Sequence, residues 1–249
     1  MLSEMSARLI PRSPFFHSVL HSSSTAAVRP EFLTSLSSSY ANPRQHVIGT
    51  DCITQTIPAS AVAGTSDERV LALFTSGFFG GFVFAPEWLL LTAAGGRILP
   101  VGYTGFMREG HTAQTLWRRA HVSDSRLHPV GTCFFGTFMI LDKHIAVESE
   151  VAEPGRRATS WIDYGFGSDE SSFAGCHRFQ ITRIEGSRGE GPGKTDPSAE
   201  SQVQIELQSF QCNPQRNVPF GSGILKQFHY QYARLLFANG IQSVLLRGT

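Results

Sequence analysis

Two residues in this chain combine acid–base chemistry with a place on an apolar strand face: Tyr164 and His177. In "TSWIDYGF" alternation puts Ser160, Ile162, Tyr164 and Phe166 on one side, opposite Thr159, Trp161 and Asp163. In "CHRFQITR" it puts His177, Phe179 and Ile181 together, opposite Arg178, Gln180 and Thr182. Successive strand side chains point to opposite faces, so the phenol and the imidazole are both expected to face the interior. A histidine there can take up a proton, and a tyrosine can donate a hydrogen bond to a carbonyl. The pair is therefore the candidate general base and acid, catalytic His177 and catalytic Tyr164. Packing with one satisfied hydrogen bond each is the reading that needs no chemistry, and it stays open. Asp163 and Glu206 fall on the opposite strand faces and are expected in solvent.

No other constellation competes with this pair. The sequence holds no G-x-S-x-G, H-E-x-x-H, P-loop, or G-x-G-x-x-G leading into a helix. "GFGSD", Gly165 to Asp169, follows a strand into a polar turn and reads as a hairpin connection. His17 with His21, and His121 with His128, have no third ligand at a useful spacing, so neither a metal nor a cofactor is called for. Cys52, Cys133, Cys176 and Cys212 lie far apart with no C-x-x-C. They read as small buried side chains in a reducing compartment, with a secreted disulfide framework as the alternative. With 21 basic and 20 acidic residues, net charge +1 and no long basic run, the chain lacks the electrostatic footprint of a nucleic-acid surface.

These residues need a scaffold, and 249 residues at 41% hydrophobic and only 16% charged can build a sizeable core. Residues 1–45 read differently. They are rich in Ser, carry Arg8, Arg12, Arg29 and Arg44 against Glu4 and Glu31, and show no apolar period. This composition is expected of a disordered extension or of an organelle transit peptide. The folded domain is then 46–249, in the cytoplasm or, if the tail is a transit peptide, in the mitochondrial matrix.

"FTSGFFGGFVFAPEWLLLTAAGG", Phe74 to Gly96, has a single charge, Glu87, and is long enough to raise the question of a membrane span. Thr65-Ser66-Asp67-Glu68 before it is a capping box that starts an ordinary helix near Ser66. Gly77, Gly80 and Gly81 are expected to break that helix. Pro86 suits the first turn of a second one, with Glu87 near its positive end and Gly95-Gly96 as its stop. Two short helices joined by a Phe-rich bend are expected, with no stable membrane insertion.

From Gly96 onward the period is two. "VQIELQSFQ" alternates Val203, Ile205 and Leu207 with polar residues, "KHIAVES" sends Ile145 and Val147 inward, and "TCFFGTFMIL" is apolar on both sides, as in a covered central strand. Weaker strands are expected over 46–57, 98–106 and 115–122, and a polar Gly/Pro loop over 186–201. The chain closes on a helix whose residues Leu225, Phe228, Tyr232, Leu235, Leu236 and Asn239 share a face, with Asn239-Gly240 as its stop.

A strand, two short helices, a run of antiparallel strands and a long final helix make an α+β chain. In that order, with "FTSGFF…WLLLTAAGG" before the sheet and "LKQFHYQYARLL" after it, residues 46–245 resemble the helix-grip superfamily of polyketide cyclases, lipid-transfer proteins and plant allergens. The resemblance implies a curved antiparallel sheet gripping the last helix around an apolar cavity. It carries over no catalytic residue. The expected partner is an apolar small molecule, bound by Phe134, Phe138, Ile162, Phe179, Phe228 and Tyr232. The expected function is a cofactor-independent enzyme of cyclase, dehydratase or isomerase type on a polyketide- or terpenoid-like intermediate. The alternatives are a non-catalytic carrier of a lipid-like ligand and a membrane-associated organellar protein. Oligomeric state is not legible.

Overall fold

The computed structural model describes residues 14–108, 114–147, 158–184, 201–219 and 223–248. Alternating apolar residues pair into one sheet of eight strands: β1 (Ser24–Thr25), β2 (Ile48–Pro58), β3 (Gln114–Leu116), β4 (Thr132–Phe134), β5 (Phe138–His144), β6 (Thr159–Gly167), β7 (Ala174–Ile184) and β8 (Gln202–Cys212). The order is β1-β2-β8-β7-β6-β5-β4-β3, curved and unclosed, and antiparallel except between β3 and β4. The inner face carries the expected set: Ile162, Tyr164 and Phe166 on β6, His177, Phe179 and Ile181 on β7, and Val203, Ile205 and Leu207 on β8. With the closing helix described below, the architecture is α+β.

Helix α4 (Asp67–Gly80) starts at Ser66, whose hydroxyl accepts from the Arg69 N–H at 3.3 Å, with Asp67 and Glu68 in its positive first turn. Helix α5 (Ala85–Ala93) carries Pro86 in its first turn and ends before Gly95 and Gly96, at φ +59° and +75°. The two helices meet at 69°. No single helix among the described residues is long and apolar enough to cross a membrane, and α4 is buried along most of its length.

Gly77 does not break α4, contrary to expectation. It lets the closing helix α7 (Gly223–Arg247) approach, for a Cβ there would stand 2.6 Å from the Asn239 carbonyl oxygen. Gly240 likewise lies under the Phe74 ring, where a Cβ would meet Cε2 at 2.6 Å. Asn239-Gly240 is therefore a helix crossing point and not a stop, and α7 runs on to Arg247. Its buried side is Ala233, Leu236, Phe237, Ile241 and Val244.

Other departures have local causes. "TCFFGTFMIL" is two strands, β4 and β5, turned back on each other by Phe135 at φ +57° and Gly136 at φ +75°. A bulge between Ile140 and Asp142 shifts the parity of β5, which ends at His144, so Ile145 is half-buried and Val147 is exposed. The 98–106 stretch contributes only a Gly102–Ser168 bridge before the short helix α6 (Thr104–Arg108). The 115–122 stretch gives three-residue β3 and a 3₁₀ turn at Arg119–His121. Of the 186–201 loop, all but Ser201 lies outside the described residues.

The largest difference is at the N-terminus. Residues 1–13 lie outside the described residues, but from Pro14 the expected disordered tail is folded onto the domain. Helix α1 (Pro14–Ser22) lies against α7, β1 adds to β2, and α2 (Pro30–Leu33) and α3 (Leu36–Ala41) cover the outer face of the sheet. Phe32, Tyr40 and Ala41 pack there with Tyr103, Phe106, Met139, Leu141, Cys176 and Phe210. The boundary expected at residue 46 is thus absent from the structure.

Because the sheet is covered on both sides, the polar residues of its outer face are not in solvent. Asp163 is 0% exposed and Glu206 2%. Arg178 grips Asp163 with Nε and Nη2, both at 2.7 Å, and its guanidinium lies between the rings of Phe32 (4.8 Å) and Trp161 (3.9 Å). Glu206 accepts from Arg29 and Gln180. Helices of four and six residues are too short to imprint a period on the sequence, which is why this cover was not legible.

Candidate functional site

A cavity of about 210 Å³ lies between the inner face of the sheet, the α4–α5 bend and the first half of α7. Phe138, Phe166 and His177 line it from the sheet, Phe78 from α4, Phe84 from the bend, Glu87 from α5, and His229, Tyr232, Ala233 and Leu236 from α7, with Leu99 and Phe173 at its edge. The walls are mostly aromatic because strand alternation brings Phe138, Phe166 and His177 to the same space as Phe78 of α4 and Phe84 of the bend. Two of the rings, Phe166 and Phe138, stand 4.7 and 6.3 Å from the His177 imidazole.

His177 thus sits in the cavity wall. Its Nδ1 is buried without a hydrogen-bond partner among the described residues, as are His229 Nε2 and Thr137 Oγ1 in the same wall. The two imidazoles stack at 6.4 Å, 11° from parallel. Burial, and secondarily His229, push the His177 pKa from 6.5 down to about 3, so the ring is neutral at physiological pH. A neutral imidazole of this kind is a weak base but a competent hydrogen-bonding group.

Tyr164 stands directly across from His177 in the β6–β7 register. Its hydroxyl nevertheless turns away to Thr75 Oγ1 at 3.0 Å, and its ring is packed by Phe79 at 5.2 Å and Phe179 at 4.9 Å. Burial raises the phenol pKa further. It lies behind the cavity wall and not in it. Phe138 and Tyr232 line the cavity, whereas Phe134, Ile162 and Phe179 are core residues outside its lining. Phe228 is 70% exposed and belongs to neither.

The sequence reading missed Glu87 as a site residue. It turns inward from α5 and accepts the Tyr232 hydroxyl at 2.7 Å on Oε2. Burial raises its pKa, and the Tyr232 bond partly offsets that rise. The available signal was its isolation: one carboxylate in a 23-residue stretch otherwise without charge. His229 was also missed, since α7 was rotated in the expectation toward Phe228.

The metal-ligating residue types and the cysteines add nothing to this site. No three His, Cys, Asp or Glu side chains among the described residues gather as metal ligands. All four cysteines are free and buried, with Cys52 pushed up to about 12 and Cys133 and Cys212 to about 11, chiefly by burial. Thiols held protonated in this way are poor nucleophiles.

The buried imidazole carries a pH signature. Unfolding restores an ordinary histidine, which takes up a proton below about 6.5, while the folded ring stays neutral down to about 3. Stability attributable to His177 is therefore fully present above pH 6.5 and falls as pH drops toward 3. Urea unfolding at pH 7 and at about pH 5 is expected to show the wild type losing about 2 kcal/mol more than His177→Gln. Equal losses would place the imidazole in solvent.

Compared with known proteins, the chain matches no family model, no curated protein and no solved structure.

Proposed function

We propose that the protein binds a small, uncharged, largely apolar molecule in the cavity between the sheet and α7. The observation that carries this reading is the set of three buried polar atoms without a partner among the described residues, on His177, His229 and Thr137, in a mostly aromatic wall. A buried polar group without a partner costs about 1–3 kcal/mol, and a ligand carbonyl or hydroxyl would remove that cost. An anionic ligand is disfavoured, since neutral His177 offers no counter-charge and burying an unpaired ion is expensive. At about 210 Å³ the space is smaller than the ~300–1,000 Å³ of ordinary ligand pockets and suits a correspondingly small molecule.

The element order supports the helix-grip resemblance. The first long strand lies beside the last, α4, α5 and the short α6 separate it from the rest, and one helix closes the chain. The parallel β3–β4 pair departs from an all-antiparallel sheet. Four free buried thiols support a reducing compartment, cytoplasm or mitochondrial matrix.

Glu87 favours a second reading, a cofactor-independent cyclase, dehydratase or isomerase. A desolvated carboxylate beside a hydroxyl can move a proton on a bound polyketide- or terpenoid-like molecule, and His177 would then orient its carbonyl. Both readings share one first test. Native mass spectrometry of protein purified without added ligand is expected to release a small apolar molecule from the complex on activation. A bare chain that also takes up nothing from a panel of small neutral terpenoids and ketones would refute both.

A further inference from the structure

The apolar residues that α5 does not bury are arranged on one side. Pro86, Leu89, Leu90 and Ala93 recur at three- and four-residue steps and are all exposed, Leu89 at 62% and Leu90 at 57%. The chain then turns through Gly95-Gly96 and exposes Ile98, Leu99 and Pro100. Trp117, itself partly exposed, closes the other flank, with its ring against Gly96 and its carbonyl accepting from Trp88 Nε1 at 2.9 Å. Exposed Arg97 and Arg118 border this surface. Between Phe82 and Ala120 the one carboxylate among the described residues, Glu87, is turned inward onto Tyr232.

We propose that this face docks on an anionic lipid bilayer. The inference rests on the cavity being a ligand site, and it names the ligand's source as the membrane. Two observations select a bilayer over a protein. Leu99 is both exposed and part of the cavity wall, so a molecule leaving the bilayer can reach the cavity along apolar surface. The border charges are basic, which matches anionic headgroups. A two-fold pairing of this face with a second copy would instead bring Arg97 and Arg118 of both chains together. Docking lays α5 in the interface plane and leaves the core where it is.

The test uses the full chain and the double variant Leu89→Glu/Leu90→Glu, whose positions are exposed and outside the cavity. Flotation with phosphatidylcholine vesicles containing phosphatidylserine is expected to carry the wild type, with weaker recovery in high salt. The double variant should be recovered at least about tenfold less. Failure of the wild type to float with these vesicles overturns docking, and so does equal flotation of the double variant. A wild-type dimer in sedimentation velocity that the double variant converts to monomer overturns it in favour of a second copy. Binding of the neutral probe N-phenyl-1-naphthylamine separates this proposal from the cavity reading. A double variant that binds the probe normally but no longer floats supports docking as a distinct function. Wild type that floats but binds no probe removes the cavity reading and with it the membrane as the ligand's source, leaving only docking of the face.

Discussion

Arg178→Met is expected to destabilise the protein by about 3–5 kcal/mol, because it leaves the Asp163 carboxylate buried without its partner. The guanidinium supplies both hydrogen bonds of a bidentate pair at 2.7 Å, and the carboxylate is 0% exposed. Burial already raises the Asp163 pKa, with Arg178 as the main opposing influence, so removing the arginine raises it further. A group whose folded pKa is raised stabilises below its unfolded pKa and loses that contribution as pH rises. The cost of Arg178→Met, measured against wild type by urea unfolding, should accordingly shrink between pH 7 and pH 5. Replacing both partners, Arg178→Met with Asp163→Leu, should recover most of the loss. An Arg178→Met protein as stable as wild type would mean that the N-terminal cover over this pair is not formed.

Phe79→Ala is expected to cost about 3–5 kcal/mol, for a different reason. The ring is the centre of the inner core, within 4.9–5.9 Å of Phe78, Phe84, Phe134, Phe138, Tyr164 and Phe179. Neighbours from α4, the α4–α5 bend and four strands cannot all close the void together, so the lost dispersion is not regained by relaxation. A loss below about 1 kcal/mol in equilibrium unfolding would show that this cluster is loosely packed.

The fold was legible where one physical rule acted alone. Strand alternation placed Tyr164, His177, Phe179 and Leu207 on the inner face, and a capping box followed by Pro86 placed α4 and α5. Legibility failed where tertiary contact overrode a local rule. Gly77 and Gly240 read as helix breakers, yet they serve a close helix crossing that only the neighbouring helix reveals. Asp163 and Glu206 lay on a face that looked wet until a Ser-rich segment with no period of its own covered it. In the cavity, parity brought His177 to the wall but could not say that Tyr164, on the same face, would spend its hydroxyl on Thr75. Nor could it show Glu87 and Tyr232 meeting across two helices 145 positions apart.

On the proposed function, the space bounded by Phe138, His177 and Tyr232 holds an apolar guest. Titration of the full chain with N-phenyl-1-naphthylamine, followed by its fluorescence, tests this most directly when run beside Ala233→Trp, which places an indole in the cavity from α7. The prediction is saturable binding of one probe per wild-type chain, shifted to weaker binding by neutral polyketide- or terpenoid-like competitors. Ala233→Trp, if its cooperative melting is retained, should bind the probe at least about a hundredfold more weakly, the equivalent of about 2.7 kcal/mol. Wild type and Ala233→Trp binding the probe equally, or wild type not binding it at all, would contradict the claim.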